Sequence, residues 1–292
     1  MMRLWSVIMI SVLFHGERRL TGSPLPSSAV IDTSARAFGT LPSLRIVGAS
    51  ERKVLQALDL HAHRSYAAWV RALAHQWEGI PYGSGGAGTA PDQLLINLEQ
   101  MDCMTAVENL MALHRAHRMG LTTMEGFAQA LLYVRYHATP PCRWEDRYHY
   151  LTHAFMGWER MGWGTWLPLG IPDKRPIRYI TQHPKKYAGF RDWAYLRQIE
   201  ERLSQHPRYY IPSAAIGEWL PALQDGDIIA FVSPEDGLDV SHVGIFFWEG
   251  GKATFAHASL IARKWVYGED LCAYLDRRGS KVKGITVFRP YE

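Results

Sequence analysis

The sequence predicts an α+β fold in which helices pack on one face of an antiparallel β-sheet. The first half of the chain carries apolar residues at helical spacing, and the last quarter carries short apolar runs bounded by glycine and polar turns. Hydrophobic residues make up 47% of the 292 positions, which excludes a disordered chain. Helices that precede such a run of strands bury their apolar stripes against the sheet.

The predicted helices begin near residue 51. Apolar residues from Val54 to Leu73 follow a helical period that predicts two helices between positions 51 and 78, with a break near the middle. The glycine-rich loop that starts at Gly79 ends this pattern. Three further helices are predicted, from Cys103 to about Ala116, from Thr123 to Tyr136 and from Trp193 to Ser204.

Four strands are predicted in the C-terminal part, and a two-glycine turn at Gly250 and Gly251 joins the second to the third. A turn centred on these glycines sets His257 opposite Gly244 and places His242 and His257 on one face, about 7–8 Å apart along a diagonal. A register shift of one residue would separate the two imidazoles. The predicted strands are Asp227–Val232, Val243–Trp248, Ala253–His257 and Gly284–Arg289.

Residues 1–30 are expected to be a signal peptide and linker, followed by a single domain over residues 31–292. A basic start precedes an apolar run from Leu4 to Phe14 that is too short to span a bilayer, and Ser27-Ser28-Ala29 is a candidate cleavage site. The alternative is a buried first helix or strand. No later segment is apolar enough to cross a membrane, so a periplasmic or secreted protein without stable membrane insertion is expected.

The charge pattern argues against a nucleic-acid partner. The net charge is +4, and the basic residues are spread along the chain rather than clustered on one segment. The motif G-x-G-x-x-G occurs from Gly83 to Gly88, but a helical pattern precedes it and Pro91 follows it, so it does not predict a dinucleotide site.

Cys103 begins a predicted helix directly after Asp102. The free N–H groups and the dipole of a helix N-terminus stabilise a thiolate, so the pKa of this thiol is expected to fall below about 8.5, which favours a nucleophile. The alternatives are a small buried hydrophobe for Cys103 and a simple helix cap for Asp102. In an oxidising compartment Cys142 and Cys272 are able to pair, which would leave Cys103 free.

A nucleophilic thiol needs a base and a group that orients the base, and His242 and His257 are candidates for these roles. Two other histidine pairs have a spacing suited to zinc on one helix face, but neither has a convincing third ligand, so no metal or other cofactor is expected. These pairs are His114 with His117 and His149 with His153.

Five short motifs, in this order, resemble the NlpC/P60 superfamily of papain-like cell-wall hydrolases over about residues 50–292. The stretch from Asn97 to Asn109, together with Arg147-Tyr148-His149-Tyr150, is similar to the DUF1460 branch of that superfamily. The five motifs are Gly79-Ile80-Pro81-Tyr82, Asp102-Cys103, Asp225-Gly226-Asp227, Ser241-His242-Val243-Gly244-Ile245 and His257-Ala258-Ser259.

The resemblance implies a papain-like fold and a cysteine-dependent N-acetylmuramoyl-L-alanine amidase that hydrolyses peptidoglycan fragments through a thioester intermediate. Carried over residue by residue, Cys103 attacks the amide carbonyl, His242 serves as general base and then acid, and His257 orients His242. The backbone N–H of Cys103 is a candidate donor to the oxyanion. Substrate contacts are expected from Tyr82, Asp102, Ser241, Arg147, Tyr148 and Ser259.

A long, aromatic-rich insert between Cys103 and His242 departs from compact members of the superfamily and is expected to shape the substrate groove. Two alternatives to the amidase remain open at this point. One is an endopeptidase of the same fold that cuts the stem peptide, and the other is a secreted glycan-binding protein whose thiol is inert. The oligomeric state is not predicted.

Overall fold

The structure is a computed structural model that describes residues 41–61, 64–83, 93–137, 144–187 and 189–292. The predicted signal peptide and linker, Cys142 and most of the glycine-rich loop lie outside the described residues. The described residues all belong to one unit, Phe38–Glu292. Within these ranges, no helix has both the length and the apolar character needed to cross a membrane.

The helices follow the predicted pattern in the first half of the chain. The region between residues 51 and 78 forms two helices, as predicted, and Ser65 caps the second by accepting a hydrogen bond from the N–H of Ala68 at 3.4 Å. The helices are α1 (Ser50–His61), α2 (Tyr66–Gln76), α3 (Cys103–Arg118), α4 (Met124–Arg135), α5 (Leu151–Arg160), α6 (Tyr179–Gln182), α7 (Trp193–Gln205), α8 (Ile216–Trp219) and α9 (Leu271–Arg278).

The strands form an antiparallel sheet and a separate parallel pair. The pair consists of β1 (Ser43–Ile46) and β2 (Gln93–Ile96). The antiparallel sheet has the order β4-β5-β10-β6-β7-β8-β9, and β3 also pairs with β10. Its strands are β3 (Gly164–Leu167), β4 (Ile171–Pro172), β5 (Tyr209–Pro212), β6 (Ile228–Val232), β7 (Val240–Glu249), β8 (Lys252–Ser259), β9 (Lys264–Asp270) and β10 (Gly284–Pro290). The α+β class with an antiparallel sheet is therefore confirmed.

Both faces of the central sheet are covered by helices, which corrects the predicted one-sided packing. Alternate residues of β7 point to opposite faces, so Ile245 packs in the core built on α1 to α5, whereas Phe246 packs in a second core. Leu271 and Leu275 of α9 close this second core. The helix α9 was not predicted because it has only 8 residues, a length over which a helical period of apolar residues is not distinct.

The β7–β8 hairpin has the register predicted from its glycine turn. Ile245 pairs with Ala256, and Glu249 pairs with Lys252. Gly250 and Gly251 adopt φ angles of 54° and 81°, which a type I′ turn requires at both central positions. The hairpin therefore places His242 and His257 on the same face, the one covered by α9.

The insert between α4 and β6 builds a small core of its own around Tyr150. The hydroxyl of Tyr150 donates to Glu200 Oε1 at 2.6 Å and accepts from the N–H of Ile180 at 2.8 Å, so one buried side chain joins α5, α6 and α7. Leu196, Ile199 and Leu203 of α7 complete this core. The long insert is thus a folded addition to the sheet.

Candidate active site

Cys103 is the first residue of α3, and Asp102 caps that helix. Asp102 Oδ1 accepts from the N–H of Thr105 at 2.7 Å, while Thr105 Oγ1 accepts from the N–H of Asp102 at 2.9 Å. This reciprocal capping box fixes where the helix begins and therefore where the thiol lies. The carboxylate of Asp102 is used by the cap, which matches the simpler of the two interpretations of this residue.

Burial determines the resting state of the thiol. Burial and, to a lesser extent, the charge of Asp102 raise the pKa of Cys103 to about 12, against the opposing effect of hydrogen bonds from the backbone N–H groups of Val243, Met104 and Cys103. The expectation of a lowered pKa was wrong, because the helix N-terminus is outweighed by desolvation and by the adjacent carboxylate. The resting group is a neutral thiol.

The contact with Val243 places the thiol beside β7, next to His242. The Nε2 atom of His242 lies 2.6 Å from Nδ1 of His257, so the two imidazoles are hydrogen-bonded directly. Gly244 provides the space that this arrangement needs, because a Cβ there would lie 2.8 Å from Ala256 O and 3.2 Å from His257 Cβ. The structure thus places the Cys103 thiol against the strand that carries His242, and it bonds His242 directly to His257.

His242 is neutral in its surroundings. Burial, with smaller contributions from the neighbouring His257 and Arg278, lowers its pKa to about 3. Phe231 and Tyr274 pack near the imidazole, with ring centroids 5.6 and 6.3 Å away. Both groups are thus neutral in the resting protein, and no preformed thiolate–imidazolium pair is indicated.

Two residues near the histidines were missed from the sequence. Glu269 Oε2 lies 2.6 Å from His257 Nε2, and its other oxygen pairs with Arg277. Tyr274 on α9 lies with its ring centroid 5.9 Å from that of His257. Glu269 lies in β9 and Tyr274 follows on α9. Because β9 shows no alternation of apolar residues, only its pairing with β8 reveals where Glu269 lies.

Tyr82 links the start of the cysteine helix to the β8–β9 turn. It forms a parallel bridge with Met101, and its N–H donates to Arg263 O at 2.9 Å. Burial raises the pKa of its hydroxyl to about 12, with smaller contributions from the charges of Cys103 and Asp102. Tyr82 therefore lies close to both Cys103 and Asp102.

The two predicted serines differ in exposure. Ser241 is exposed at an irregular step in the β6–β7 register, where Phe231 pairs with His242 but Val232 pairs with Val240. Ser259 is buried, and its Oγ accepts from the N–H of Ala262 at 3.2 Å. Ser241 is accessible to a ligand, whereas Ser259 shapes the turn after β8.

Arg147 and Tyr148 are buried, which corrects their predicted role as direct substrate contacts. Arg147 is 6% exposed and donates to Glu108 Oε1 at 2.7 Å, while Arg135 donates to the other oxygen of Glu108 at 2.8 Å. Tyr148 is 2% exposed and packs its hydroxyl against Gly157. The two arginines neutralise a carboxylate inside the core beneath the cysteine helix, where an unpaired charge would be costly.

The histidine pairs with zinc spacing have other partners. His114 is bonded to His61 and to the carbonyl of Tyr291, and His149 Nε2 lies 2.7 Å from Trp144 O. Among the residues that the structure describes, no group of three or more His, Cys, Asp or Glu side chains is arranged to hold a metal ion. Cys272 lies on α9, and its predicted pairing with Cys142 falls outside the described residues.

A comparison with known protein families shows which family the chain belongs to. The family model of N-acetylmuramoyl-L-alanine amidase-like (AmiA-like) proteins matches residues 72–282, a span that contains Cys103 and both histidines of the hairpin. The chain belongs to this family. As a member of the AmiA-like family, it is an amidase-like hydrolase.

Solved structures agree with AmiA-like membership. Two crystal structures of an N-acetylmuramoyl-L-alanine amidase from Bacteroides uniformis ATCC 8492 match with a TM-score of 0.69 at 27% and 26% identity, covering 84% of this chain and 100% of theirs. A DUF1460 protein from Legionella pneumophila matches with a TM-score of 0.63 over 83% of this chain and 95% of its own, at 18% identity, and so shares the fold. No curated protein matches significantly.

Proposed function

We propose that this protein is a cysteine-dependent N-acetylmuramoyl-L-alanine amidase of papain-like NlpC/P60 fold that hydrolyses peptidoglycan fragments. The observation that carries the proposal is the thiol of Cys103 at the first turn of α3, in contact with the strand of His242, whose imidazole is bonded to His257. The AmiA-like family and the Bacteroides uniformis amidase support an amide as the scissile bond.

The first step starts from neutral groups. As Sγ of Cys103 attacks the lactyl carbonyl carbon of muramic acid, His242 takes the thiol proton, so no separated charge exists before substrate binds. The carbonyl oxygen becomes an oxyanion, and the backbone N–H of Cys103 at the start of α3 is the candidate donor to it. Collapse of this intermediate breaks the C–N bond, and His242 returns its proton to the amino group of L-alanine.

The second step releases the sugar. The muramyl group is now a thioester on Cys103, and His242 removes a proton from water as the water oxygen attacks the thioester carbon. The C–S bond breaks, the thiol is reprotonated from His242, and the muramyl carboxylate leaves. Each turnover consumes one water and one amide and needs no other reactant.

The accessible residues near the thiol are proposed to bind the substrate. Tyr82 and Ser241 are proposed to contact the muropeptide, because Tyr82 lies beside Cys103 and Ser241 is exposed next to His242. Residues 31–292 are proposed to form one catalytic domain, with the insert on α5 to α7 shaping the groove. The apolar run from Leu4 to Phe14 supports export to the periplasm or beyond.

The proposal is tested by mass spectrometry of defined muropeptides after incubation with the wild type, with Cys103→Ala and with Cys272→Ala. Cys272 is a matched control because it is a second partly buried thiol, on α9. We expect the wild type and Cys272→Ala to release an intact stem peptide and a free muramyl sugar, and Cys103→Ala to release neither. Release of shortened stem peptides would instead show that the protein is an endopeptidase. Full turnover by Cys103→Ala would overturn the cysteine mechanism.

A further inference from the structure

A β-bulge in β9 decides which face of the sheet Glu269 occupies. Phe255 pairs with Glu269, but His257 pairs with Val266, so a step of two residues in β8 spans three residues in β9. Without the extra residue, Glu269 would pair with Thr254 and lie on the face opposite to His257. The bulge contains Gly268, whose φ of 78° belongs to the left-handed region that favours glycine.

The bulge therefore gives the histidine pair an ionised end. Glu269 accepts a hydrogen bond from His257, which together with Arg277 holds the pKa of the carboxyl below its usual value against the opposing effect of burial. A carboxylate only accepts hydrogen bonds, so Nε2 of His257 must carry a proton and its Nδ1 must accept when the ring is neutral. The proton between the two rings then belongs to Nε2 of His242, and Nδ1 of His242 keeps its lone pair.

We propose that Glu269 is a positioning residue that sets the direction of this hydrogen-bond chain and so leaves Nδ1 of His242 as the base for Cys103, and that the bulge at Gly268 places it. The catalytic consequence rests on the function proposed above, whereas the direction of the chain does not. Arg277 contributes by holding the second carboxylate oxygen.

We expect Glu269→Gln to be less active than Glu269→Ala, although the glutamine preserves the packing better. Arg277 is a donor, so in Glu269→Gln the amide oxygen is expected to face Arg277 and the amide N–H to face His257 Nε2. That arrangement reverses the chain and places the proton of His242 on Nδ1, where the ring no longer accepts the thiol proton. Glu269→Ala removes the carboxylate without imposing the reverse direction.

The direct test is nitrogen-15 NMR of the histidine rings in the free protein, which distinguishes Nε2–H from Nδ1–H. In the wild type we expect both rings to be Nε2–H, and in Glu269→Gln both to be Nδ1–H. Glu249→Gln is the control, because Glu249 is another partly exposed carboxylate that pairs with an arginine, Arg71, away from the histidines. Rings that stay Nε2–H in Glu269→Gln would overturn the proposal.

Activity on muropeptides supplies the second measurement. We expect kcat to fall about 100-fold in Glu269→Gln and about tenfold in Glu269→Ala, with KM within about twofold of the wild type. A larger loss in Glu269→Ala than in Glu269→Gln would show a structural role and contradict the proposal. Turnover by Cys103→Ala would refute the proposed function, yet the ring tautomers would still decide the role of Glu269, since they are read without substrate.

Gly268→Ala tests the bulge itself. A Cβ at Gly268 meets nothing within 4 Å, so the substitution acts only through its strained backbone. The matched control is Gly162→Ala, where φ is 69° and the space is equally open, at the end of α5. We expect mixed tautomers of His257 and His242 in Gly268→Ala alone. Identical ring spectra in both variants would show that the bulge does not place Glu269.

Discussion

Two pairs of directly hydrogen-bonded histidines occur in the described part of the chain, and their atoms are connected in the same way. In the hairpin, His242 Nε2 lies 2.6 Å from His257 Nδ1, and His257 Nε2 lies 2.6 Å from Glu269. Among the helices, His61 Nε2 lies 2.9 Å from His114 Nδ1, and His114 Nε2 lies 2.7 Å from the carbonyl oxygen of Tyr291. Both pairs are thus chains that end at an acceptor.

The pairs differ in what lies at their ends. The hairpin chain ends at a carboxylate and begins on the strand that contacts the Cys103 thiol. The helical chain ends at an uncharged carbonyl and begins at Nδ1 of His61, which has no hydrogen-bond partner in the described structure. His61 instead stacks on Trp69 and His117, with ring centroids 4.1 and 3.8 Å away. Burial lowers the pKa of His242 and of His114 alike, to about 3. A linked, buried imidazole pair is therefore not by itself a catalytic site.

The largest expected effect separates the pairs by activity. His242→Ala should lower kcat/KM by at least about 1,000-fold, because it removes the base for Cys103. The control His114→Gln should leave kcat/KM within about twofold at a temperature where both proteins are folded. Initial rates on a defined muropeptide give kcat/KM for both variants. Comparable losses of kcat/KM would mean that the two histidine pairs do not differ in their role in catalysis.

The converse effect concerns stability. His114 is 1% exposed, and His114→Ala leaves the carbonyl of Tyr291 and Nε2 of His61 without partners and opens a cavity. We expect the free energy of unfolding to fall by about 2–4 kcal/mol, and by only about 1–2 kcal/mol in His242→Ala, which leaves a single partner, Nδ1 of His257, unpaired at a partly open site. Urea unfolding at neutral pH gives both numbers. Equal destabilisation would mean that His242 is mainly structural.

A smaller effect appears on acidification. The folded pKa of His114 is lowered by burial to about 3, so its neutral form is required for the native state, and stability is lost as pH falls below the unfolded value of about 6.5. Its share of that loss is on the order of 1–2 kcal/mol at about pH 5. Urea unfolding of His114→Gln should therefore show a shallower decline between about pH 7 and pH 5 than the wild type does. If the stability of both proteins declined in parallel, groups other than His114 would be responsible for the loss of stability in acid.

The smallest expected effect is the pH dependence of the reaction. Since the pKa of His242 is lowered to about 3 and that of Cys103 is raised to about 12, both groups stay neutral at intermediate pH. We expect kcat/KM to vary by less than about twofold between about pH 6 and about pH 9. A bell-shaped pH profile of kcat/KM that falls on both sides within this range would indicate a preformed thiolate–imidazolium pair and would contradict the neutral resting state.

Local signals explain why part of the site was predictable. The two-glycine turn and the alternation of β7 and β8 determine the register of the hairpin, and thus the neighbourhood of His242 and His257, within a short stretch of sequence. Likewise, Asp102 was offered from the sequence as the cap of the helix that Cys103 begins, and the structure shows that cap, completed by Thr105. These features depend on residues that are close in the chain.

Other parts of the site depend on contacts between distant residues. The position of Glu269 follows from a bulge that exists only when β9 pairs with β8, and β9 itself lacks the alternation that marks a strand. The pKa of Cys103 reverses its expected direction because the folded chain buries the thiol, which the helix start alone does not reveal. The burial of Arg147 was missed for the same reason, since its partner Glu108 lies on α3, 39 residues earlier in the chain.

The most direct test of the central claim is intact-mass and peptide-mapping spectrometry of the protein quenched in acid during turnover of a muropeptide. The account predicts a muramyl adduct on the peptide that contains Cys103, present in the wild type and absent from Cys103→Ala, which should also lack turnover. Product formation at the wild-type rate by Cys103→Ala, or an adduct on a different residue, would contradict the account.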